Sequence, residues 1–122
     1  MLAYIDGKCS VITRTEFLEI RKTADKFIKI MPDYSATVVW TKTGCNADYT
    51  DFPLSLETTM LMTTWGNWFN DNVNTEDEFM YNTCTLDNFY TLGDLIFNRV
   101  INELPDYVIV YDNDSDYIMK GL

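Results

Sequence analysis

The chain has 122 residues, enough for one domain, and its 47% hydrophobic and 15% aromatic content is far above that of a disordered acidic tail. It has a formal net charge of −10, no apolar run near the roughly 18 residues that suggest a spanning helix, and no secretory signal, so we expect a cytoplasmic protein (host cytoplasm if phage-encoded). The sequence contains no histidine, which excludes Ser-His, Cys-His and His-metal chemistry for this chain acting alone.

The negative charge is concentrated in one part of the sequence. From Thr43 to Met119 there are fourteen carboxylates and a single cation, Arg99, whereas residues 1–42 hold five acids and seven bases. A net charge of −13 over those 77 residues makes the folded chain repel itself, so folding alone does not require it. The asymmetry therefore predicts a surface that binds a cationic partner.

The chain opens with a predicted hairpin and helix. Leu2–Ile5 and Lys8–Ile12 flank Asp6-Gly7, a dipeptide suited to the positive φ angles of a two-residue hairpin turn. Thr13 and Glu16 then have the spacing of a capping box. Beyond this cap, apolar residues recur at steps of three and four, which predicts an amphipathic helix down to the next proline. The stripe and the proline that ends it are Phe17, Ile20, Ala24, Phe27, Met31 and Pro32.

The middle of the chain is predicted to be mainly strand. Ala36–Lys42 is rich in β-branched and aromatic residues, which favours a strand, and Thr43–Asp51 is typical of a loop. Leu54–Val73 is open to two interpretations: its apolar residues fit a helical period with Ser55 as the cap, but its threonines favour a strand about as well. We favour a strand that continues through Thr64 before an irregular turn.

A polar loop and a second helix follow. Asn70–Glu78 is typical of a surface loop, and Phe79–Cys84 favours a short strand. Thr85 or Asp87 then caps a helix that ends before Pro105. Its apolar stripe consists of Phe89, Leu92, Ile96, Val100 and Leu104.

The last elements are predicted to be a strand, a turn and a returning strand, at Tyr107–Tyr111, Asp112–Ser115 and Asp116–Lys120. The resulting order, ββ-α-β-β-β-α-ββ, predicts an α+β fold in which two amphipathic helices pack on one antiparallel sheet. With no repeat and no low-complexity linker in the sequence, we expect a single α+β domain over residues 1–122.

No metal or cofactor site is expected. The three cysteines are far apart in the sequence and are predicted to be small buried hydrophobes. They are Cys9, Cys45 and Cys84. The spacing of Asp112, Asp114 and Asp116 resembles the start of a calcium-binding loop, but the sixth position, which needs glycine, is Tyr117. We therefore interpret this segment as the solvated tip of a hairpin.

An acidic cluster lies next to two tryptophans in the sequence. The cluster is Asp71, Glu76, Asp77 and Glu78, and the tryptophans are Trp65 and Trp68. One interpretation is a polar loop beside two core tryptophans, because tryptophan is normally well buried. The other is an interface in which exposed tryptophans act as anchors inside an acidic rim. The sequence leaves both open.

Three functions fit an acidic domain without a catalytic motif. The favoured one is a non-enzymatic inhibitor that occupies a cationic nucleic-acid-binding surface, a mimic of the anti-CRISPR or anti-restriction type. The alternative is a toxin-immunity or regulatory protein with one local acidic and aromatic patch, and the third is a domain whose acidity serves solubility. We expect a cationic protein partner, such as a nuclease, and neither nucleic acid nor membrane. The residues predicted to bind it are Asp48, Asp51, Asp71, Glu76, Asp77, Glu78, Asp112, Asp114 and Asp116, with Trp65 and Trp68.

Overall fold

Five strands and three α-helices make up the part of the chain that a computed structural model describes, residues 1–33, 36–72 and 83–113. The elements are β1 Leu2–Ile5, β2 Lys8–Val11, α1 Arg14–Thr23, β3 Phe27–Ile30, β4 Val39–Trp40, α2 Leu56–Asn72, α3 Thr83–Glu103 and β5 Val108–Tyr111, with a 3₁₀ turn at Tyr49–Asp51. The strands form one sheet in the order β2-β1-β5-β3-β4. None of the described helices combines the length and the apolar character needed to cross a membrane.

The first hairpin and the start of α1 confirm the sequence prediction. Asp6 and Gly7 have φ angles of 50° and 83°, as a two-residue turn of this kind requires. At the start of α1, the Thr13 N–H donates to Glu16 Oε1 at 3.0 Å, and the Glu16 N–H donates to Thr13 Oγ1 at 3.1 Å. The capping box therefore satisfies two backbone donors at this helix end.

The prediction of one helix from the capping box to Pro32 is wrong beyond Thr23. There α1 ends, and Phe27–Ile30 forms β3 instead of further helical turns. Successive residues of β3 enter two different cores: Phe27 packs with α1, whereas the two isoleucines of β3 face α2 and α3. This alternation is that of a central strand with both faces buried. Phe17 of α1 and Phe27 of β3 are buried in the same core, with ring centroids 6.3 Å apart. Both residues therefore fit one apolar pattern, although only Phe17 lies in a helix.

The sheet is mixed, so the prediction of an antiparallel sheet is wrong in one pairing. β1 pairs antiparallel with both β2 and β5, but β5 runs parallel to β3, with Phe27 opposite Val108 and Ile30 opposite Tyr111. Parallel neighbours require a long crossover connection. Here β4 and the α2–α3 helix pair supply that connection between β3 and β5.

The favoured strand through Thr64, with an irregular turn after it, is also wrong, and the helical alternative holds, because α2 spans Leu56–Asn72. Ser55 caps α2, because its Oγ accepts from the Thr58 N–H at 3.2 Å. The hydroxyls of Thr59, Thr63 and Thr64 bond back to carbonyls three or four residues earlier, such as Thr63 to the carbonyl of Thr59 at 2.9 Å. The burial of one helix face, rather than this bonding, outweighs the low helix propensity of threonine.

The second half of the chain follows the prediction more closely. α3 ends at Glu103 before Pro105, and its predicted apolar stripe is buried or half-buried. β5 lies within the predicted strand Tyr107–Tyr111. α3 begins at Thr83, so the end of the predicted strand Phe79–Cys84 is helical. Of the predicted strand Ala36–Lys42, β4 retains two residues. The rest of the predicted loop and strand over 73–82, and the predicted turn and strand over 114–120, lie outside the described residues.

The described residues form one α+β domain with three layers. The sheet lies between α1 on one face and α2 and α3 on the other, so the predicted number of two helices is wrong. α1 packs on one face, in a core that includes Ala3, Phe17, Phe27 and Val110. α2 and α3 pack on the other face over the larger core, in which Met62, Trp65, Phe89, Ile96 and Val100 contact Ile28, Ile30 and Ile109. This division into two helical layers decides which charges share a surface.

Candidate functional site

The two halves of the charge asymmetry lie on different secondary-structure elements of the described chain. The bases of the first 42 residues lie in the strands, turns and helix of the α1 side of the chain, whereas the described acids after them lie on or beside α2 and α3. We call the exposed acids of this second group the acidic layer. Its members are Asp48, Asp51, Glu57, Asp71, Asp87, Asp94 and Asp106. They lie at the 3₁₀ turn, on α2, on α3 and in the turn after α3.

The single cation of this region is engaged within the protein. The Arg99 Nε donates to Thr58 Oγ1 at 2.9 Å, and its Nη2 lies 3.3 Å from the Glu57 carboxylate and 3.8 Å from that of Glu103. The Arg99 side chain is 28% exposed. These contacts hold Arg99 between α2 and α3.

Glu103 has a structural role at the start of α2. Its carboxylate accepts from the Ser55 N–H at 2.6 Å, from the Ser55 hydroxyl at 3.0 Å and from the Thr58 hydroxyl. Burial raises the pKa of Glu103, but these hydrogen bonds and the Arg99 charge outweigh it and hold the pKa below its ordinary value of 4.5. The Glu103 carboxylate thus joins the C-terminal turn of α3 to the N-terminus of α2.

We expect Glu103→Ala to lower the free energy of unfolding by about 1–3 kcal/mol at pH 7, because it leaves the Ser55 donors without their acceptor. The lowered pKa means that the wild-type carboxylate stabilises the fold above pH 4.5 and loses this contribution as the pH falls through its folded-state pKa. Denaturant melts at pH 7 and at lower pH measure both effects. In the Glu103→Gln variant this component of the pH dependence should vanish, and in Glu57→Gln, whose side chain is 76% exposed, it should remain.

The predicted acidic residues do not gather at one point. Asp71 lies in the last turn of α2, and Asp112 follows β5, whose Tyr111 ring lies 6.1 Å from that of Trp65 in the same helix. Asp48 and Asp51 lie at the 3₁₀ turn, towards the other end of the domain, where the following Phe52 contacts Tyr107 just before β5. Asp48, Asp51 and Asp71 are exposed and Asp112 is half-buried. Glu76, Asp77, Glu78, Asp114 and Asp116 lie outside the described residues.

The structure favours the interpretation in which both tryptophans belong to the core rather than to an exposed interface. Trp65 is fully buried, its indole stacks on Phe89 with ring centroids 5.0 Å apart, and its Nε1 donates to the Phe89 carbonyl at 2.9 Å. Trp65 therefore belongs to the core in this structure. Trp68 is half-buried and stacks on the other side of the same cluster, with its ring centroid 4.6 Å from that of Phe89.

The sequence prediction missed acids that lie on helices rather than in loops. Glu57, Asp87, Asp94 and Asp106 are exposed members of the acidic layer that were not among the predicted binding residues. A signal for two of them was present, because Asp87 and Asp94 fall off the apolar stripe that correctly predicts the buried side of α3. Glu57 could be placed only once α2 was known to be a helix.

Two of the three cysteines, all predicted to be buried, lie on the surface. Cys9 and Cys45 are both exposed. Cys9 lies on the edge strand β2, all four residues of which are exposed, and Cys45 lies in the turn that follows β4. Within the described part of the chain, no group of three or more Cys, Asp or Glu side chains is placed to hold a metal ion.

A cavity of about 570 Å³ opens where β5 ends, between β1, β2, α1 and α3. Its lining residues are Met1, Leu2, Val11, Ile12, Arg14, Asp94, Tyr111, Asp112 and Asn113. Burial, followed by the Asp94 carboxylate, raises the pKa of the Tyr111 phenol far above its usual value, so this wall of the cavity is neutral. With charges of both signs around it, the cavity lacks the uniform sign of the acidic layer, which is the stronger candidate for a binding surface.

Comparison with known proteins identifies one related family. A family model described as Serratia CdiI immunity protein-like matches residues 26–114, nearly three quarters of the chain. The matched segment runs from just before β3 to just after β5, so it contains α2, α3 and the whole acidic layer and leaves β1, β2 and α1 outside. No curated protein matches the chain.

Proposed function

Because this chain belongs to the Serratia CdiI immunity protein-like family, we propose that it is an immunity protein that binds one cognate protein toxin and neutralises it. The family favours the immunity alternative of the sequence analysis over the inhibitor of the anti-CRISPR or anti-restriction type, which gains no support from it. The protein acts by binding alone, as a stoichiometric inhibitor without chemistry of its own.

The observation that carries the proposal is the acidic layer inside the matched segment. Its carboxylates are exposed along α2 and α3, and Arg99 is engaged in internal contacts. A surface of one sign speeds association with a surface of the opposite sign and disfavours partners of like charge. Rapid capture is what an inhibitor needs when a single toxin molecule can do damage before it is bound.

The sign of the layer also suggests the class of toxin. A protein that acts on nucleic acid needs a cationic groove for the phosphate backbone, and a layer of exposed carboxylates complements such a groove. We expect the toxin to be a nuclease or another nucleic-acid-binding enzyme, whose groove the immunity protein covers. Direct binding of this chain to nucleic acid is not expected, since both are strongly anionic.

The test is expression of the toxin candidate encoded beside this gene, alone and together with the protein. We expect the toxin alone to arrest growth, co-expression to restore it, and the two proteins to elute as one stoichiometric complex in size-exclusion chromatography. Toxins from unrelated loci serve as the control and should not be neutralised. Growth arrest that persists despite equal expression of both proteins, with no complex on the column, would rule the proposal out.

A further inference from the structure

Large apolar side chains on the surface of the domain concentrate on its acidic side. Four such side chains are exposed among the described residues: Val11 at 78%, Leu56 at 77%, Met60 at 61% and Leu95 at 48%. Val11 lies on the edge strand β2, and the other three lie on α2 and α3. Single exposed apolar residues are common and need no explanation, but several on neighbouring helical turns form a patch that often marks a binding site.

The helix geometry places these three residues along the same stretch of the α2–α3 pair. Leu56 and Met60 are four residues apart, so they lie one above the other on the outward side of α2, away from the buried Met62 and Trp65. Glu57 contacts Arg99 of α3 at 3.3 Å, which fixes how the two helices face each other. Leu95 is one turn before Arg99 and therefore flanks the same stretch of α2. We call Leu56, Met60 and Leu95 the apolar patch.

The charges around the apolar patch are negative. Glu57 follows Leu56 in α2, and Asp51 lies a few residues before α2. Arg99, the cation that contacts Glu57, is held by Thr58, Glu57 and Glu103. A partner that covers the patch must therefore offer an apolar pocket with a basic rim, which is the pattern of a binding hot spot surrounded by charged residues.

From this arrangement we infer that the apolar patch is the anchor of the toxin interface and that Leu56 and Met60 insert into an apolar pocket bordered by lysine or arginine on the toxin. The inference rests on the proposed immunity function and specifies the part of the acidic layer that holds the complex together. The acids around the patch speed encounter, whereas the burial of the patch slows dissociation. Methionine suits this role because its flexible thioether adapts to an irregular pocket.

The experiment compares a Leu56→Ala/Met60→Ala variant with wild-type protein in surface-binding kinetics against the cognate toxin. We expect the dissociation constant to rise by at least about tenfold, mainly through faster dissociation. Alanine favours helix and both side chains are exposed, so thermal melting of the variant should match that of wild type. Val11→Ala is the matched control, since it removes an equally exposed apolar side chain on β2, and it should bind within about twofold of wild type.

The outcomes separate this inference from the proposed function. If wild type binds the toxin and the patch variant binds as tightly as Val11→Ala, the apolar patch is not the anchor, while the immunity function stands. If wild type does not bind or neutralise the toxin at all, both fall. The salt dependence of binding separates an apolar anchor from an altered charge. If the dissociation constant of the patch variant rises with salt concentration by no larger a factor than that of wild type, the result supports an apolar anchor.

Discussion

Replacing Trp65 with alanine is expected to lower the free energy of unfolding by about 3–5 kcal/mol, the usual cost of removing a large buried aromatic side chain. Trp65 is fully buried between the stacked ring of Phe89 and the ring of Tyr111. A Cβ at Gly93 would lie 2.8 Å from Trp65 Cζ2, so the surrounding packing is tight. Thermal unfolding measured by circular dichroism should show a midpoint lower by roughly 10–20 °C.

Two further variants keep this prediction decisive. If Trp65→Ala does not fold, Trp65→Phe retains a ring, loses the hydrogen bond to the Phe89 carbonyl, and should cost about 1–3 kcal/mol. Trp68→Ala removes a half-buried ring from the same cluster and should cost clearly less than Trp65→Ala. Wild-type stability in both Trp65 variants, together with weaker toxin binding, would instead show that Trp65 is an exposed anchor.

The elements that the sequence predicts correctly are those with local signals. The Asp6-Gly7 turn, the capping box at Thr13 and the end of α3 before Pro105 each depend on a few neighbouring residues. Backbone geometry and hydrogen bonding within a short segment determine such features. They therefore remain readable from a single sequence.

The elements that the sequence misses depend on distant contacts. Phe27–Ile30 matches a helical stripe and becomes a strand only because β5 and β4 lie on either side of it. The threonine-rich α2 has the composition of a strand and becomes a helix because Met62, Trp65 and Phe69 bury against the sheet and α3. The α2–α3 helix pair supplies the crossover that lets β3 and β5 pair in parallel. Because α2 was predicted as a strand, the predicted sheet was wrong as well.

The sequence predicts the negative charge of the candidate site, but it does not predict which residues form that site. The sequence locates the acidic half and its single cation, Arg99, but it does not show that Arg99 is held between two helices. Acids on the outward side of α2 and α3 could not be separated from those in loops before α2 was known to be helical. Exposed Leu56 and Met60 were counted within an apolar pattern, because a sequence does not show which side of a helix lacks a neighbour.

Reversing two charges of the acidic layer is expected to slow association with the toxin by about tenfold. Asp71→Lys/Asp87→Lys changes exposed residues near one end of the α2–α3 helix pair and shifts the net charge from −10 to −6. Glu19→Lys/Asp25→Lys makes the same change of net charge outside the acidic layer, at α1 and the turn after it, and is the matched control. The control should associate nearly as fast as wild type, because steering depends on where the charge lies as well as on its total.

The most direct test of binding through the acidic layer is the association rate constant with the cognate toxin at about 50 and about 500 mM salt, measured by stopped flow for wild type and both charge-reversal variants. Salt screens exposed charges, with a Debye length of about 10 Å at 0.1 M that shortens further as salt is added. We predict that the wild-type rate constant falls at least about tenfold across this range and that the Asp71→Lys/Asp87→Lys variant falls much less. A wild-type rate constant independent of salt, or equal losses in the two variants, would contradict a toxin interface on the acidic layer.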